Sequence, residues 1–118
     1  MLDHVSLNVS DAAKAKQFYT KALRPLGYTV FKEYEGGFGI GEDGESSVWA
    51  QEAEIDKPTH LSFRVEERAQ VDEFYKAALS AGGRDNGKPG IREKYSPDYY
   101  AAFVLDPDGN NVEAVCHS

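Results

Sequence analysis

Hydrophobic and polar residues alternate along two short stretches of the chain. In one, Val5, Leu7 and Val9 interleave with His4, Ser6 and Asn8; in the other, Leu61, Phe63 and Val65 interleave with His60, Ser62 and Arg64. A period of two belongs to a half-buried strand. The period then lengthens. Ala15, Phe18, Ala22 and Leu23, with Leu26 close behind, fall at helical spacing, as do Val71, Phe74, Ala78 and Leu79. Ser10-Asp11 suits the N-cap of the first helix, and Gly82-Gly83 is a glycine stop for the second. Short strands follow each helix. Residues 28–31, 38–40 and 48–50 are expected strands of the first half, parted by turns at Gly36-Gly37 and Glu42-Asp43-Gly44. In the second half, residues 99–105 and 112–116 are strands joined through the Asp106-Pro107-Asp108-Gly109 hairpin turn. Residues 86–100 read as a loop.

The two halves are copies of one unit. His4-Val5-Ser6-Leu7-Asn8-Val9 resembles His60-Leu61-Ser62-Phe63-Arg64-Val65, 56 residues later. The same offset carries Phe18-Tyr19 onto Phe74-Tyr75, Ala22-Leu23 onto Ala78-Leu79, and Gly27 onto Gly83. The chain is therefore expected to be a single α+β domain over residues 1–118. It would hold two tandem βαβββ modules, at about 1–55 and 58–118, joined through Asp56-Lys57-Pro58-Thr59. Neither module has enough core to stand alone.

Composition narrows the function. A chain of 118 residues with 41% hydrophobic and 28% charged residues is globular in profile. The net charge of −7 opposes a phosphate backbone or an anionic membrane surface, so neither nucleic acid nor membrane is expected as a partner. No apolar run approaches the roughly 20 residues that span a bilayer. Met1-Leu2-Asp3-His4 lacks the features of a signal peptide, and one cysteine, Cys116, excludes an internal disulfide. A cytoplasmic protein with a small-molecule ligand is the resulting expectation.

Two βαβββ units with a histidine on the first strand of each resemble the vicinal-oxygen-chelate superfamily, which holds glyoxalase I, bleomycin-resistance proteins, fosfomycin-resistance enzymes and extradiol dioxygenases. The resemblance is carried by His4-Val5-Ser6, Phe18-Tyr19, Gly27, His60-Leu61-Ser62, Phe74-Tyr75, Gly82-Gly83 and the run 106–113. It implies a curved mixed sheet forming a cup, with helices outside. His4, His60 and Glu113 would face the cup, while the apolar sets on the first strands meet the helices. It further implies three metal ligands, His4, His60 and Glu113. Two imidazoles and a carboxylate suit Zn, Ni, Mn, Co or ferrous iron and leave positions open for substrate. The same three residues would also serve as the polar lining of a metal-free pocket.

A fourth ligand is where the sequence departs from glyoxalases, which place an acid on the last strand of the first unit. Aligning Asp43-Gly44 with Asp108-Gly109 sets Val48 opposite Glu113, and a slip of one gives Trp49; neither binds a metal. Gln51 or Glu52 would need a larger shift. This weakens lactoylglutathione lyase as the activity, because its acid–base step is tied to a carboxylate at the metal.

Trp49 is a candidate stacking surface for substrate, or core filling. In the run 86–100, Arg92 could supply a bidentate fork for an anion and Tyr100 a phenolic donor, whereas Tyr99 is read as a cross-strand packing residue. Asn8 and Arg64 are weaker contacts. Cys116 and His117 diverge on a strand and make no nucleophile. Gly36-Gly37-Phe38-Gly39 lacks the strand–loop–helix context of a phosphate cradle. The Asp-Pro-Asp-Gly turn lacks calcium-loop spacing. The leading function is a glyoxalase-like, metal-dependent enzyme of lyase or isomerase type, with Glu113 as ligand and base. The alternatives are a metal-free sequestration protein of the bleomycin-resistance type and, further off, an Fe(II) extradiol dioxygenase. The resemblance also implies a homodimer.

Overall fold

A computed structural model describes residues 2–118. Each half runs strand, helix, three strands, as the repeat requires. The first module holds β1 (Val5–Val9), α1 (Ala12–Ala22), a 3-10 turn at Arg24–Leu26, β2 (Thr29–Tyr34), β3 (Gly37–Gly41) and β4 (Val48–Glu52). The second holds β5 (His60–Val65), α2 (Arg68–Ser80), β6 (Arg84–Ile91), β7 (Tyr100–Leu105) and β8 (Asn111–Cys116). The expected curved sheet is built as two four-stranded mixed sheets, ordered β1-β4-β3-β2 and β5-β8-β7-β6. In each, the first strand pairs parallel with the last and the remaining pairs are antiparallel.

The run 86–100, expected as a loop, is corrected in its first part: β6 extends to Ile91. Gly87, Pro89 and Gly90 hide the alternation, and the pairing with β7 slips at Asp85/Gly87 and again at Gly87/Gly90. Such bulges and a proline are tolerated because β6 is an edge strand.

The helices pack against each other and cover one side of the sheets. Asp11 caps α1 by accepting from Lys14 N at 3.1 Å. Gln70 Oε1 accepts from the Glu67 backbone N–H at 3.2 Å, ordering the start of α2. Leu7, Val9, Phe63 and Val65 enter one core with Phe18, Leu23, Val71 and Phe74, so the apolar positions of both first strands face the helices. Val112, Ala114 and Cys116 join them from β8. The opposite side of each sheet is open.

The closing turn does more than reverse the chain. Asp106, buried, accepts from the backbone N–H groups of Asp108 at 2.9 Å and Asn110 at 2.8 Å, from Asn110 Nδ2 at 2.8 Å, and from the Tyr19 hydroxyl on α1. Asp108 accepts from the Ser10 backbone N–H at 3.0 Å and from its hydroxyl. Asn110 Oδ1 accepts from Thr59 N at 2.8 Å. The turn thus ties the first module to the second. Burial, then the Asp106 carboxylate, pushes the Tyr19 hydroxyl well above its ordinary pKa. Among the described residues no helix is long and apolar enough to cross a membrane.

Candidate functional site

The open faces of the two sheets can be compared row by row, because strand register fixes which residues stand side by side. On the first module Ser6 pairs with Trp49, and Trp49 with Gly39. On the second, Ser62 pairs with Glu113, and Glu113 with Phe103. Ser6 and Ser62 are repeat counterparts, so Trp49 stands where Glu113 stands in the other module. Val48, set opposite Glu113 by aligning the two Asp-Gly turns, instead pairs with Val5 and faces the core. The difference is loop length: β4 begins four residues after Gly44, whereas β8 begins two after Gly109.

The rows are filled differently. A Cβ on Gly39 would lie 2.8 Å from the Trp49 ring and closer still to Ser46 Oγ, so glycine is what lets the indole lie over β3. Tyr34 flanks it, with ring centroids 6.3 Å apart. The second module has the aromatic one strand over, at Phe103, and a carboxylate where the indole would be.

Glu113 is 1% exposed, yet both of its oxygens have partners. His60 Nε2–H donates to Oε1 at 2.9 Å, and the Tyr99 hydroxyl donates to Oε2. His60 reaches it because β5 and β8 are parallel neighbours and both side chains rise on the open face. Tyr99 precedes β7, packs against Tyr95 at 4.9 Å, and meets His117 edge-on at 5.2 Å. Burial first, then the bond to Glu113, pushes the Tyr99 hydroxyl up to about 12, with Ser62 pulling the other way. It therefore stays a donor at neutral pH. His60 itself is half-exposed and stands 6.2 Å from Phe103. The arrangement is a buried carboxylate held on one side by a phenol and offered to an accessible imidazole on the other.

His4 is not part of this group. Its Nδ1 pairs with Asp3 Oδ1 at 2.7 Å in an exposed position just before β1. Among the described residues, no three His, Cys, Asp or Glu side chains converge to hold a metal ion. The structure thus brings two of the three expected ligands together in one chain. Gln51 donates through Nε2 to Asn8 at 3.2 Å, near the end of the open face.

Tyr100, expected as a pocket donor, is directed at the helix side: its hydroxyl donates to Asp72 at 2.6 Å, and Arg68 sits 5.0 Å over its ring. Tyr99, assigned a packing role from the sequence, is the one that meets Glu113. The signal was present in the parity of β7. Tyr99, Ala101 and Phe103 share the face that carries Glu113, while Tyr100, Ala102 and Val104 turn inward. Arg92 stays on the open side, over the Phe103 ring at 5.4 Å.

A concavity of about 950 Å³ lies elsewhere, between α1, the β2–β3 turn and the end of α2. Its lining includes the buried Thr20 Oγ1, which has no hydrogen-bond partner among the described residues, and two paired side chains. Lys16 is bonded to Glu33, and Glu52 accepts from Ala12 N at 2.9 Å.

Comparison with known proteins places these observations. The family model for the Glyoxalase/Bleomycin resistance protein/Dioxygenase superfamily matches residues 1–114. The chain is 28% identical over 127 residues to an uncharacterized protein of Bacillus subtilis (strain 168), YqjT, covering 99% of both. A glyoxalase/bleomycin resistance protein from Albidiferax ferrireducens superposes with a TM-score of 0.81 at 25% identity, covering 98% of each chain. A variant of the fosfomycin resistance protein FosX from Listeria monocytogenes, in complex with Mn(II) and 1S,2S-dihydroxypropylphosphonic acid, shares the fold. Its TM-score is 0.75 at 16% identity, with 100% of this chain and 90% of that one covered.

Proposed function

The chain belongs to the Glyoxalase/Bleomycin resistance protein/Dioxygenase superfamily, and from that premise we propose that it is a metal-dependent enzyme of lyase or isomerase type acting on a small oxygen-bearing substrate. His60 and Glu113 are the ligands one chain contributes to a divalent ion. The observation that carries this is the 2.9 Å separation of His60 Nε2 and Glu113 Oε1 on adjacent strands. The imidazole nitrogen and the carboxylate oxygen would each donate to one divalent ion of the Zn, Ni, Mn, Co or Fe class. The pair would exchange its hydrogen bond for two metal bonds with little movement.

Two donors are one fewer than the three protein ligands of an open catalytic site. His4, half-exposed, is the imidazole that the 56-residue repeat matches to His60. A second copy, with its first module against this second module, supplies it in our reading, and the functional unit is a homodimer. When bound, the ion polarises a substrate oxygen. Tyr99 keeps its hold on Oε2 and fixes the carboxylate's orientation. Oε1 would hold the ion, and only when displaced from it by substrate would this oxygen be free to take or return a proton. A buried free thiol at Cys116 suits a reducing, cytoplasmic setting.

Sequestration without metal is the second reading, favoured by one observation: both Glu113 oxygens are already satisfied by protein donors. Metal analysis of protein purified without chelator, combined with native mass spectrometry, separates the two. Metal-loaded dimers that lose the ion on His4→Ala support the enzyme. Metal-free protein that takes up no added Zn, Ni, Mn or anaerobic Fe(II) overturns it in favour of sequestration.

A further inference from the structure

Beside the His60–Glu113 pair lies a second, smaller cavity of about 270 Å³, lined by Asn86, Arg92, Lys94, Phe103 and Asn111 among others. Its position is set by register. Asn111 is the direct partner of His60, and Phe103 the direct partner of Glu113, so the cavity opens on the same face as the pair and adjoins it. The volume equals that of about nine waters in the liquid, enough for a few heavy atoms.

The lining is basic in an acidic protein. It carries Arg92 and Lys94 and no carboxylate, while the chain as a whole bears −7. Among the described residues no Asp or Glu lies within ion-pairing distance of Arg92. Arg92 is nevertheless held in place. Its guanidinium lies 5.4 Å over the Phe103 ring, and Nη2 donates to Lys88 O at 2.6 Å. A Cβ on Gly87 would sit 3.1 Å from Nη2, and one on Gly90 3.2 Å from Nη1. The bulged edge strand thus forms a bare cradle for the guanidinium. Asn86 Nδ2 donates to Asn111 Oδ1 at 3.2 Å, which ties the far wall together and leaves amide hydrogens at the rim. An arginine fixed by stacking and one backbone bond, with further N–H donors and no partner anion, is prepared for an oxyanion.

We propose that this cavity is an acid-binding subsite, and that the substrate is a small organic acid whose anionic group sits on Arg92 while its reacting oxygens meet the His60–Glu113 pair. The inference rests on the reading of that pair as the reactive centre. Lys94 adds charge at the rim, and the Asn86 and Asn111 amides complete the polar wall. Carboxylate and phosphonate share this chemistry.

The test titrates the full chain, with and without EDTA, against glycolate, methylphosphonate and ethylene glycol, following the Arg92 Nε–H and Asn111 side-chain resonances by NMR. Saturable shifts with either anion and none with the neutral diol are expected, and the tighter anion assigns the group. Arg92→Ala should weaken binding at least about tenfold and Arg92→Lys by less, because lysine keeps the charge but loses the fork. Metal content and melting temperature of both variants should stay at wild-type values. Shifts of equal size with ethylene glycol, or an Arg92→Ala protein that binds the anions as wild type does, would overturn the subsite. His60→Ala separates the two readings: anion binding in EDTA that survives this variant supports the subsite whether or not the protein takes up metal.

Discussion

The two modules share a frame and differ in one row of it. Ser6–Trp49–Gly39 on the first open face corresponds to Ser62–Glu113–Phe103 on the second. Large and small, polar and apolar, have exchanged strands: the aromatic is on β4 in one and on β7 in the other. The exchange leaves the first module with an indole lying over a glycine strand, and the second with a carboxylate buried beneath a histidine and a tyrosine. Duplication preserved the residues that pack against the helices, since any change there is felt in a shared, close-packed core. It left the open faces free to diverge. The buried carboxylate with its imidazole and phenol donors lies in the second module.

The turns before the last strands show the same inequality, and substitution there should have the largest effect. Asp106 holds four donors and bridges to α1, whereas Asp43 in the first module is exposed. Asp106→Ala strands those donors and is expected to cost about 3–5 kcal/mol by urea denaturation, against less than about 1 kcal/mol for Asp43→Ala. Similar losses at both turns would mean that the clasp between modules does not depend on Asp106.

Gly39→Ala addresses the row itself. The added methyl collides with Trp49 and Ser46, both side chains, so the indole must lift. A loss of about 1–3 kcal/mol is expected, with a shift in the emission of the chain's single tryptophan. Unchanged emission would show that the indole does not lie over β3.

Tyr19 gives a smaller and pH-dependent effect. Its hydroxyl is held protonated by burial and by Asp106, so its folded pKa lies above the unfolded value of about 10. The fold binds that proton more tightly, so the contribution is fully present below pH about 10 and is lost as pH rises beyond it. Tyr19→Phe should cost about 1–2 kcal/mol at pH 7 and flatten the fall in stability above pH about 10. Tyr75, its repeat counterpart, is only half-buried in its own module, and Tyr75→Phe should cost less. An equal fall for the Tyr19→Phe protein at high pH would assign that fall to other groups.

Much of this frame was legible in the chain. Alternation at residues 4–9 and 60–65, helical spacing after each, and the repeat at 56 residues led to the modules, their order and the faces of the first strands. What stayed hidden depends on register and on loop length. The opposition of Trp49 to Glu113 follows from two loops of unequal length, which no local pattern encodes. β6 was obscured by Gly87, Pro89 and Gly90, whose bulges erase a period of two. The separation of His4 from His60 is a matter of how two modules sit side by side, and strand periodicity carries no information on that. Tyr99 and Tyr100 are adjacent and chemically alike, so only parity within β7 distinguishes the one that meets Glu113 from the one that meets Asp72. Arg92 was visible as a residue type, but its glycine cradle was not.

The central claim, that the Glu113 row is the functional one and the Trp49 row is not, is tested most directly by metal stoichiometry across both rows. Protein purified without chelator, and separately loaded with Zn, Ni, Mn or anaerobic Fe(II), is assayed by elemental analysis as wild type, His60→Ala, Glu113→Gln and Trp49→Phe, each checked for fold by circular dichroism. The account predicts about one ion per chain in wild type and Trp49→Phe, and a loss of at least about tenfold in affinity in folded His60→Ala and Glu113→Gln. Metal retained at wild-type affinity in folded Glu113→Gln, or lost in Trp49→Phe, would contradict it.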